Sequence, residues 1–231
     1  MSKNLAIIPA RRGSKRLPGK NTKLFLGRPL ILWTIDVAMS SSSIDEIVVS
    51  SDCIDTLEIA KGAGVTELHL RSAATSSDEA KMQEVISETL NYLGGEKVSS
   101  FSCLALLQPT SPLRSPVDVE RSFELFTNYP DTDCVISYTQ RPQNLGDSKR
   151  ISILKDGYVD AFPVEMRKID SNPVYIRNGP AICLSKLPQA QSQLLHGKIR
   201  GYEMPFIRSL DIDSQTDFLI AEAIGRYALN I

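Results

Sequence analysis

The chain has few of the residues that carry covalent catalysis. Among its 231 residues there are two histidines and four cysteines, and the cysteines lie far apart with no C-x-x-C pair. No serine or cysteine stands in a motif typical of an activated nucleophile. We therefore expect no covalent intermediate. We interpret the cysteines as buried free thiols in a reducing compartment and not as metal ligands.

Long hydrophobic runs and a strong net charge are absent as well. No apolar run approaches the roughly 18 residues that span a bilayer, and the run near the N-terminus ends after about five residues, too short for a signal-peptide core. The formal net charge is -1, whereas a general nucleic-acid binder is normally basic over a whole face. These absences predict a soluble, cytoplasmic protein without a membrane or nucleic-acid partner.

Basic residues are nevertheless concentrated in one segment. Six lysines and arginines, and no acidic residue, fall between Arg11 and Lys23, directly after an apolar run at 5–8. Six like charges on one loop repel one another unless an anion neutralises them. A buried strand followed by a loop of glycine, serine, lysine and arginine is typical of phosphate sites in α/β proteins. The segment therefore predicts a phosphate-binding loop.

The loop at 10–21 matches neither of the common phosphate-binding motifs, G-x-x-x-x-G-K-[ST] and G-x-G-x-x-G. It offers a glycine for close backbone approach, a hydroxyl donor and three charges: Gly13, Ser14, Arg11, Lys15 and Lys20. Arginine holds phosphate oxygens with two parallel hydrogen bonds, while lysine acts as a point charge. A solvated basic loop is the alternative interpretation, which the preceding buried strand disfavours.

Strand-like and helix-like segments alternate along most of the chain. The predicted strands lie at 5–9, 46–50, 65–70, 101–107, 133–138, 174–184 and 199–204. The predicted helices lie at 29–40, 54–62, 78–93, 116–128 and 214–229. Such alternation predicts an α/β fold, a mostly parallel sheet with helices on both faces, and ligands at the carboxyl ends of the strands.

The alternation is interrupted at 139–172, a polar, turn-rich stretch with a hairpin expected around Asp156 and Gly157. An excursion of this length within a compact domain is usually functional or forms an interface. We therefore divide the chain into one α/β domain, at 1–138 and 173–231, and an inserted lobe at 139–172.

Two further polar motifs follow predicted strands. Asp211 and Asp213 precede the last helix, and strand alternation would aim both carboxylates at one site, as Mg²⁺ coordination requires. The alternative is that Asp213 merely precedes the helix cap. The segment LQPTSPLR at 107–114 ends the most apolar strand, where Gln108 suits a polyhydroxylated ligand unless the segment is only a structural turn.

Together these features favour one class of chemistry. A site of lysine, arginine and Mg²⁺ without a nucleophile suits phosphoryl or nucleotidyl transfer, where positioning and charge stabilisation supply nearly all of the catalysis.

The segment AIIPARRGSKRLPGKN at 6–21 resembles the first motif of the CMP-sialic acid synthetases, or acylneuraminate cytidylyltransferases. Later segments resemble that family in the same order: Leu70-Arg71, Ser77-Asp78, LLQPTSPLR at 106–114, Asn178-Gly179 and DID at 211–213. The resemblance implies a Rossmann-like nucleotidyltransferase fold with a small inserted dimerisation lobe. It also implies transfer of CMP from CTP to the anomeric hydroxyl of an N-acylneuraminate, with release of pyrophosphate.

The resemblance further implies roles for individual residues. The CTP-binding residues would be Ala10, Arg11, Gly13, Ser14, Lys15, Lys20, Asn21 and Arg71. The catalytic residues would be Arg11, Lys20 and Asp211, and the magnesium ligands Asp211 and Asp213. The sugar-binding residues would be Gln108, Tyr175, Arg177 and Asn178. The family also implies a homodimer in which the lobe at 139–172 reaches into the partner's site.

The chain departs from the family pattern where the family binds its sugar. The family commonly has Arg-Pro-Asn-Gly-Ala, whereas this chain has YIRNGPA at 175–181. Arg177 is therefore adjacent to Asn178, and its side chain would point to the other face. The basic residue that the family places in the lobe has three candidates here: Arg141, Lys149 and Arg167.

Three alternatives to an N-acylneuraminate enzyme follow. A legionaminic-type acid or 3-deoxy-octulosonate would be the acceptor of a related cytidylyltransferase. Asn21 stands where the octulosonate enzymes usually have leucine, which favours nine-carbon acids. A non-catalytic nucleotide-sensing domain is disfavoured because the loop lysines and both carboxylates are present.

Overall fold

The computed structural model describes residues 3–140, 142, 152–153, 159–160, 175–179 and 181–229. Most of the predicted lobe lies outside these ranges, together with the hairpin tip at 156–157 and the three candidate basic residues Arg141, Lys149 and Arg167. Ser152–Ile153 and Val159–Asp160, on either side of that tip, pair antiparallel, as the predicted hairpin requires. The boundaries of the lobe stay a prediction.

Strands and helices alternate in the described residues as the sequence predicts. The strands are β1 (Lys3–Pro9), β2 (Leu24–Phe25), β3 (Arg28–Pro29), β4 (Glu46–Ser51), β5 (Glu67–Leu70), β6 (Phe101–Leu106), β7 (Cys134–Gln140), β8 (Ser152–Ile153), β9 (Val159–Asp160), β10 (Tyr175–Arg177), β11 (Cys183–Lys186) and β12 (Ile199–Glu203). The α-helices are α1 (Leu30–Met39), α2 (Ile54–Gly62), α3 (Ala73–Ser76), α4 (Met82–Leu93), α5 (Gly95–Val98), α6 (Pro116–Asn128) and α7 (Gln215–Leu229).

The main sheet is built around β1. This strand lies between β4 and β6 and is parallel to both, and β5 extends the sheet in parallel beyond β4. On the other side, β11 pairs antiparallel with β6 and with β7, and β12 pairs in parallel with the far edge of β7. The predicted α/β class with a mostly parallel sheet is confirmed.

Helices cover both faces of the sheet because alternate residues of β1 point in opposite directions. Ala6 and Ile8 pack in one apolar cluster with residues of α1, α2 and α6. Leu5 and Ile7 pack in a second cluster with residues of α4. All four β1 side chains are fully buried, which fixes the strand and hence the place where the basic loop begins.

The predicted single strand at 174–184 is wrong. The chain there forms two strands, β10 and β11, which lie on the same edge of β7 and are separated by residues 178–182. Gly179 has φ +62°, a left-handed conformation that interrupts an extended strand. The break sets the Asn178-Gly179 turn out of the sheet, where it contacts the site described below.

Helix α6 begins with a capping box formed by Ser115 and Asp118, and the Asp118 carboxylate is fully buried. Asp118 accepts hydrogen bonds from the Ser115 backbone N–H (2.9 Å) and hydroxyl (2.8 Å). It also accepts from Tyr202 Oη (2.9 Å) and from Nε and Nη2 of Arg208 (2.8 and 2.9 Å). Burial alone raises the pKa of Asp118, but these donors outweigh it and hold the pKa below its ordinary value.

Removing Arg208 should therefore destabilise the protein in a pH-dependent manner. We expect Arg208→Met to lower the unfolding free energy at pH 7 by roughly 3 kcal/mol, because a buried carboxylate loses its charged partner. A carboxylate with a depressed folded-state pKa stabilises the fold above about pH 4 and loses that effect as the pH falls through its folded pKa. The difference between variant and wild type should thus shrink at pH 3, as measured by urea denaturation.

Arg200→Met is the matched control, since Arg200 pairs with the exposed carboxylate of Asp131 and should contribute less than about 1 kcal/mol. A deficit for Arg208→Met that stays constant between pH 7 and pH 3 would contradict the assignment.

Candidate functional site

A cleft of about 520 Å³ opens at the carboxyl ends of the parallel strands β1, β5 and β6. Its lining residues are Pro9, Arg11, Gly13, Ser14, Lys15, Arg16, Lys20, Asn21, Arg71, Asp78, Met82, Gln108, Pro109, Thr110 and Asp213. Most of the predicted nucleotide-binding residues thus share one cavity with Gln108 and Asp213. This is the edge of the sheet at which the alternating pattern predicts a ligand site.

The backbone of the basic loop is tied to its neighbours where it leaves β1. Ala10, which is fully buried, donates its N–H to Ser50 O (2.8 Å) and accepts from Ser51 Oγ (2.5 Å). Asn21 is buried, and its Nδ2 donates to Arg11 O (2.9 Å). The start and the end of the loop are therefore fixed, and the charged side chains between them face the cleft.

One apolar cluster brings the basic loop and the two late aspartates together. Leu17 of the loop and Ile212, which lies between Asp211 and Asp213, are both buried in it against α7. Ile212 also donates its N–H to Thr110 O (2.8 Å). Hydrophobic burial thus places segments almost 200 positions apart in sequence at the same cleft.

Two carboxylates, those of Asp78 and Asp213, form ion pairs with four of the loop cations. Arg11 Nη1 and Lys15 Nζ lie 2.6 and 2.8 Å from the Asp78 carboxylate. Hydrogen bonds from Lys15 and then Arg11 hold the pKa of Asp78 below its ordinary value.

The second carboxylate, Asp213, lies 2.8 Å from Arg16 and 3.3 Å from Lys20. Neither Asp78 nor Arg16 belongs to the predicted site residues. The Ser77-Asp78 motif was a sequence signal for Asp78, whereas the sequence indicates Arg16 only by its position in the basic loop.

Arg71 is held at the rim of the cleft by a buried polar network. Its Nε donates to Ser50 Oγ and its Nη2 to Ser50 O, both at 2.9 Å. Burial lowers the pKa of Arg71 to about 10. Behind it, His69 Nδ1 lies 3.0 Å from the same Ser50 Oγ and 3.2 Å from Thr89 Oγ1. Because this histidine is buried, its pKa is lowered, so its neutral form completes the network that orients Arg71.

The two late aspartates do not follow a strand, which corrects the expectation from alternation. They come after a 3₁₀ turn, Phe206–Ser209, and their side chains differ in environment. Asp213 faces the loop cations. Asp211 packs on Gly179, where a Cβ would lie 2.8 Å from Asp211 Oδ2, so only glycine fits there.

Asp211 and Asp213 fit a divalent cation. Burial raises the pKa of Asp211, and within the described ranges its buried Oδ1 has no hydrogen-bond partner. A carboxylate oxygen without a donor is a ready cation ligand. The described residues contain no group of three or more His, Cys, Asp or Glu that could hold a metal. Two carboxylates are nevertheless a usual protein contribution to a Mg²⁺ site, because Mg²⁺ keeps several water ligands and takes further oxygen ligands from substrate phosphates.

The predicted sugar-binding residues are spread over different environments. Asn178 is buried, and its side chain bonds within the protein to Ser137 Oγ (2.7 Å) and Ser209 Oγ (3.0 Å). Tyr175 and Arg177 are exposed on β10 and do not line the cleft. Of this group the cleft contains Gln108, and the contacts of the other three with a sugar stay predictions.

The cysteines are all buried and free, as predicted. Cys134 Sγ lies 3.5 Å from His196 Nδ1 and accepts the His196 backbone N–H (3.3 Å). The two residues are 62 positions apart, so no sequence motif marks this contact. Cys134 is fully buried and does not line the cleft, so the pair is part of the packing.

Among the helices of the described ranges, none is both long and apolar enough to cross a membrane.

Fold and cleft together define an α/β protein of the nucleotidyltransferase type. A structure of CMP:2-keto-3-deoxy-manno-octonic acid synthetase complexed with CTP covers the whole chain with a TM-score of 0.70 at 17% identity, and all of that chain is covered in turn. A 4-diphosphocytidyl-2C-methyl-D-erythritol synthase from Anaerococcus prevotii covers 96% of this chain and is itself 97% covered, with a TM-score of 0.64 and 18% identity. These likenesses show the fold.

The model of the cytidylyltransferase family matches residues 5–230, and the chain belongs to this family. The CMP-N,N'-diacetyllegionaminic acid synthase of Legionella pneumophila is 42% identical over 231 residues, covering 95% of both chains. The N-acylneuraminate cytidylyltransferase of Escherichia coli is 30% identical over 227 residues, 96% of this chain and 52% of the relative. The chain thus spans about half the length of the second relative. The family resemblance of the sequence motifs is confirmed.

The carboxylate of Asp78 should compete with a polyphosphate for the loop cations. We expect Asp78→Asn to tighten the binding of inorganic tripolyphosphate by roughly 2–5-fold, because an exposed ion pair is worth about 0.2–1 kcal/mol. Isothermal titration calorimetry at fixed ionic strength measures the change. Asp131→Asn removes the same charge from an exposed ion pair outside the cleft and should leave the affinity nearly unchanged. Weaker binding by Asp78→Asn, or equal effects of both variants, would contradict this role.

Proposed function

We propose that the protein transfers CMP from CTP to the anomeric hydroxyl of a nine-carbon acid sugar and releases pyrophosphate. The observation that carries the proposal is the cleft of about 520 Å³, which is lined by four loop cations and by the two aspartates that pair with them, Asp78 and Asp213. Membership in the cytidylyltransferase family supports cytidine as the base. The lining residues include no cysteine, and no histidine that could activate a hydroxyl, in keeping with direct attack by the sugar.

The cations are assigned to the triphosphate. Arg11, Lys15 and Lys20 would bind its oxygens together with Ser14 Oγ and the backbone at Gly13. In the reaction the sugar oxygen attacks the α-phosphorus and the bond to the β-phosphate breaks, so negative charge grows on the departing pyrophosphate. Preorganised cations stabilise that charge more than the ground state, which accelerates transfer.

Lys20 occupies the position best suited to link the two halves of the site. Its side chain is only 11% exposed, and Nζ donates to Ile212 O (2.7 Å) while pairing with Asp213. We propose Arg11, Lys20 and Asp211 as the catalytic residues. Asp211 and Asp213 would hold Mg²⁺, which supplies charge neutralisation at the phosphates.

The remaining assignments concern the ends of the substrates. Asn21 and Arg71 line the cleft and would bind the nucleoside together with Ala10, which is buried where the chain leaves β1. Gln108 would face the sugar, with Tyr175, Arg177 and Asn178 nearer the lobe. We also propose a cytoplasmic homodimer whose lobe at 139–172 completes the sugar site. The support for these points is the family resemblance of the sequence.

An N-acylneuraminate is the first candidate acceptor, and a legionaminic-type acid is the second. The observation that favours the second is the 42% identity over nearly the full length of a CMP-N,N'-diacetyllegionaminic acid synthase. The identity to the N-acylneuraminate enzyme is 30% and covers about half of it.

Turnover with a panel of acids tests the function. CTP, Mg²⁺ and N-acetylneuraminate, N,N'-diacetyllegionaminate or 3-deoxy-octulosonate are supplied in turn, and pyrophosphate release is followed. We expect turnover with a nine-carbon acid. Activity with octulosonate alone would overturn the choice of acceptor. CTP binding without turnover of any acid would point to a nucleotide-sensing domain.

Loss of the Asp211 carboxylate should remove metal-dependent activity while the fold is kept. We expect Asp211→Asn to lower kcat by roughly 10²-fold or more, because the metal's charge stabilisation is worth several kcal/mol. Asp36→Asn is the control, since this carboxylate pairs with Arg28 outside the cleft and should change neither kcat nor the dependence of the rate on Mg²⁺. Unchanged Mg²⁺ dependence in Asp211→Asn would contradict the metal assignment.

A further inference from the structure

Arg114 is a buried arginine to which the proposed reaction gives no role. It is 2% exposed and ends the 107–114 segment. Its Nη2 donates to Thr34 Oγ1 (2.8 Å), and its Nη1 donates to the backbone carbonyls of Gln108 (3.4 Å) and Ala181. A buried guanidinium is costly unless protein groups replace its hydration. Here those groups come from three separate segments of the chain.

The Ala181 carbonyl is available because the sheet is interrupted beside it. Arg177 pairs with Tyr138 and Cys183 with Ile136, so the described residues between them, 178–179 and 181–182, have a single residue of β7, Ser137, opposite them. Backbone groups in such a bulge need partners other than the strand ladder. Arg114 Nη1 is the partner of the Ala181 carbonyl.

The segments that Arg114 joins also carry the functional groups of the cleft. Gln108 lines the cavity. The 178–182 bulge contains Gly179, which packs directly on Asp211. Thr110, two residues after Gln108, accepts the backbone N–H of Ile212. A shift of either segment would therefore change the distance between Gln108 and Asp211.

A buried carboxylate compensates the guanidinium. Asp118 acts on Arg114 through its charge and is itself bound by Arg208, which lies within the 3₁₀ turn that precedes Asp211. Burial lowers the pKa of Arg114 to about 9, so it remains charged at neutral pH. The buried carboxylate of Asp118 thus supplies negative charge to two arginines, the buried Arg114 and the partly exposed Arg208.

We propose that Arg114 is a positioning residue for the acid sugar: it holds the Gln108 segment and the 178–182 bulge in register, and thereby sets the sugar against the nucleotide. The inference rests on the proposed function. Arg114 touches no substrate. The nucleotide side of the cleft, built on β1, β4 and β5, does not depend on it.

Arg114→Lys keeps the charge but loses the planar fork that reaches three acceptors. We expect kcat to fall by roughly 10–100-fold, the cost of a misplacement of about 1 Å, and the KM for the acid sugar to rise several-fold. The KM for CTP should change less than 2-fold. Losses shared equally by CTP and the sugar, or unchanged kinetics with only a lower Tm, would overturn the proposal.

Ser41→Ala is the matched control, because it removes a buried hydrogen bond, from Ser41 Oγ to Val37 O (2.8 Å), that involves neither Gln108 nor Ala181. It should lower the Tm while the KM for the sugar is preserved. If it raised that KM as much as Arg114→Lys does, destabilisation would explain both and the proposal would fail. Should the lysine variant not fold, Arg114→Gln, which keeps one donor group, is judged by the same criteria.

A second readout separates this inference from the proposed function. Absence of wild-type turnover would refute the function alone. Amide hydrogen exchange, which needs no substrate, should be faster in Arg114→Lys at Gln108 and Ala181 and unchanged at Ala10 and Arg11. Unchanged exchange at Ala181 would overturn the positioning role.

Discussion

Neutralisation of the charged loop after β1 is the constraint on which the site depends. Arg11, Lys15, Arg16 and Lys20 bring four positive charges to one turn, and Asp78 and Asp213 return two negative ones. The loop and these two carboxylates together keep a net charge of two positive, which suits a polyanion that binds together with a divalent cation. The carboxylates hold the cations in place but leave part of their positive charge uncompensated. The free protein is therefore preorganised to bind a polyanion.

Buried polar side chains behind the charged loop fix the geometry of the cleft. Arg71 is oriented by Ser50 and His69 on the nucleoside side. Arg114 joins two segments on the opposite side, with Asp118 as its counter-charge. Both guanidiniums are buried and bonded mainly to protein groups. Such arrangements restrict side chains to one position, which is what transfer without a covalent nucleophile requires.

The sequence predicts most of the framework because the signals are local. The apolar run of β1, the capping box at Ser115 and Asp118, and the glycines that end helices are each read within a few residues. The common position of Arg11, Lys20 and Gln108 also follows, since parallel strands end at one edge. The contacts of the site residues with substrates are inferred from the family motifs.

What could not be predicted depends on pairing between distant segments. No local sequence signal predicts that β11 lies antiparallel between β6 and β7. The alternating pattern at 174–184 instead predicted a single strand. The partnership of Asp78 with Arg11 spans 67 residues. The internal bonds of Asn178 form only once Ser137 and Ser209 are placed beside it. The strand expected before Asp211 is a 3₁₀ turn because Arg208 and Asp118 hold that stretch against α6.

The most direct test of the central claim is a crystal structure of the protein with CTP and Mg²⁺. The account predicts triphosphate oxygens within hydrogen-bond distance of Lys15 and Lys20, the Asp78 carboxylate displaced from Arg11, and the metal ion bound at Asp211 Oδ1. Triphosphate bound elsewhere, with both Asp78 ion pairs intact, would contradict it.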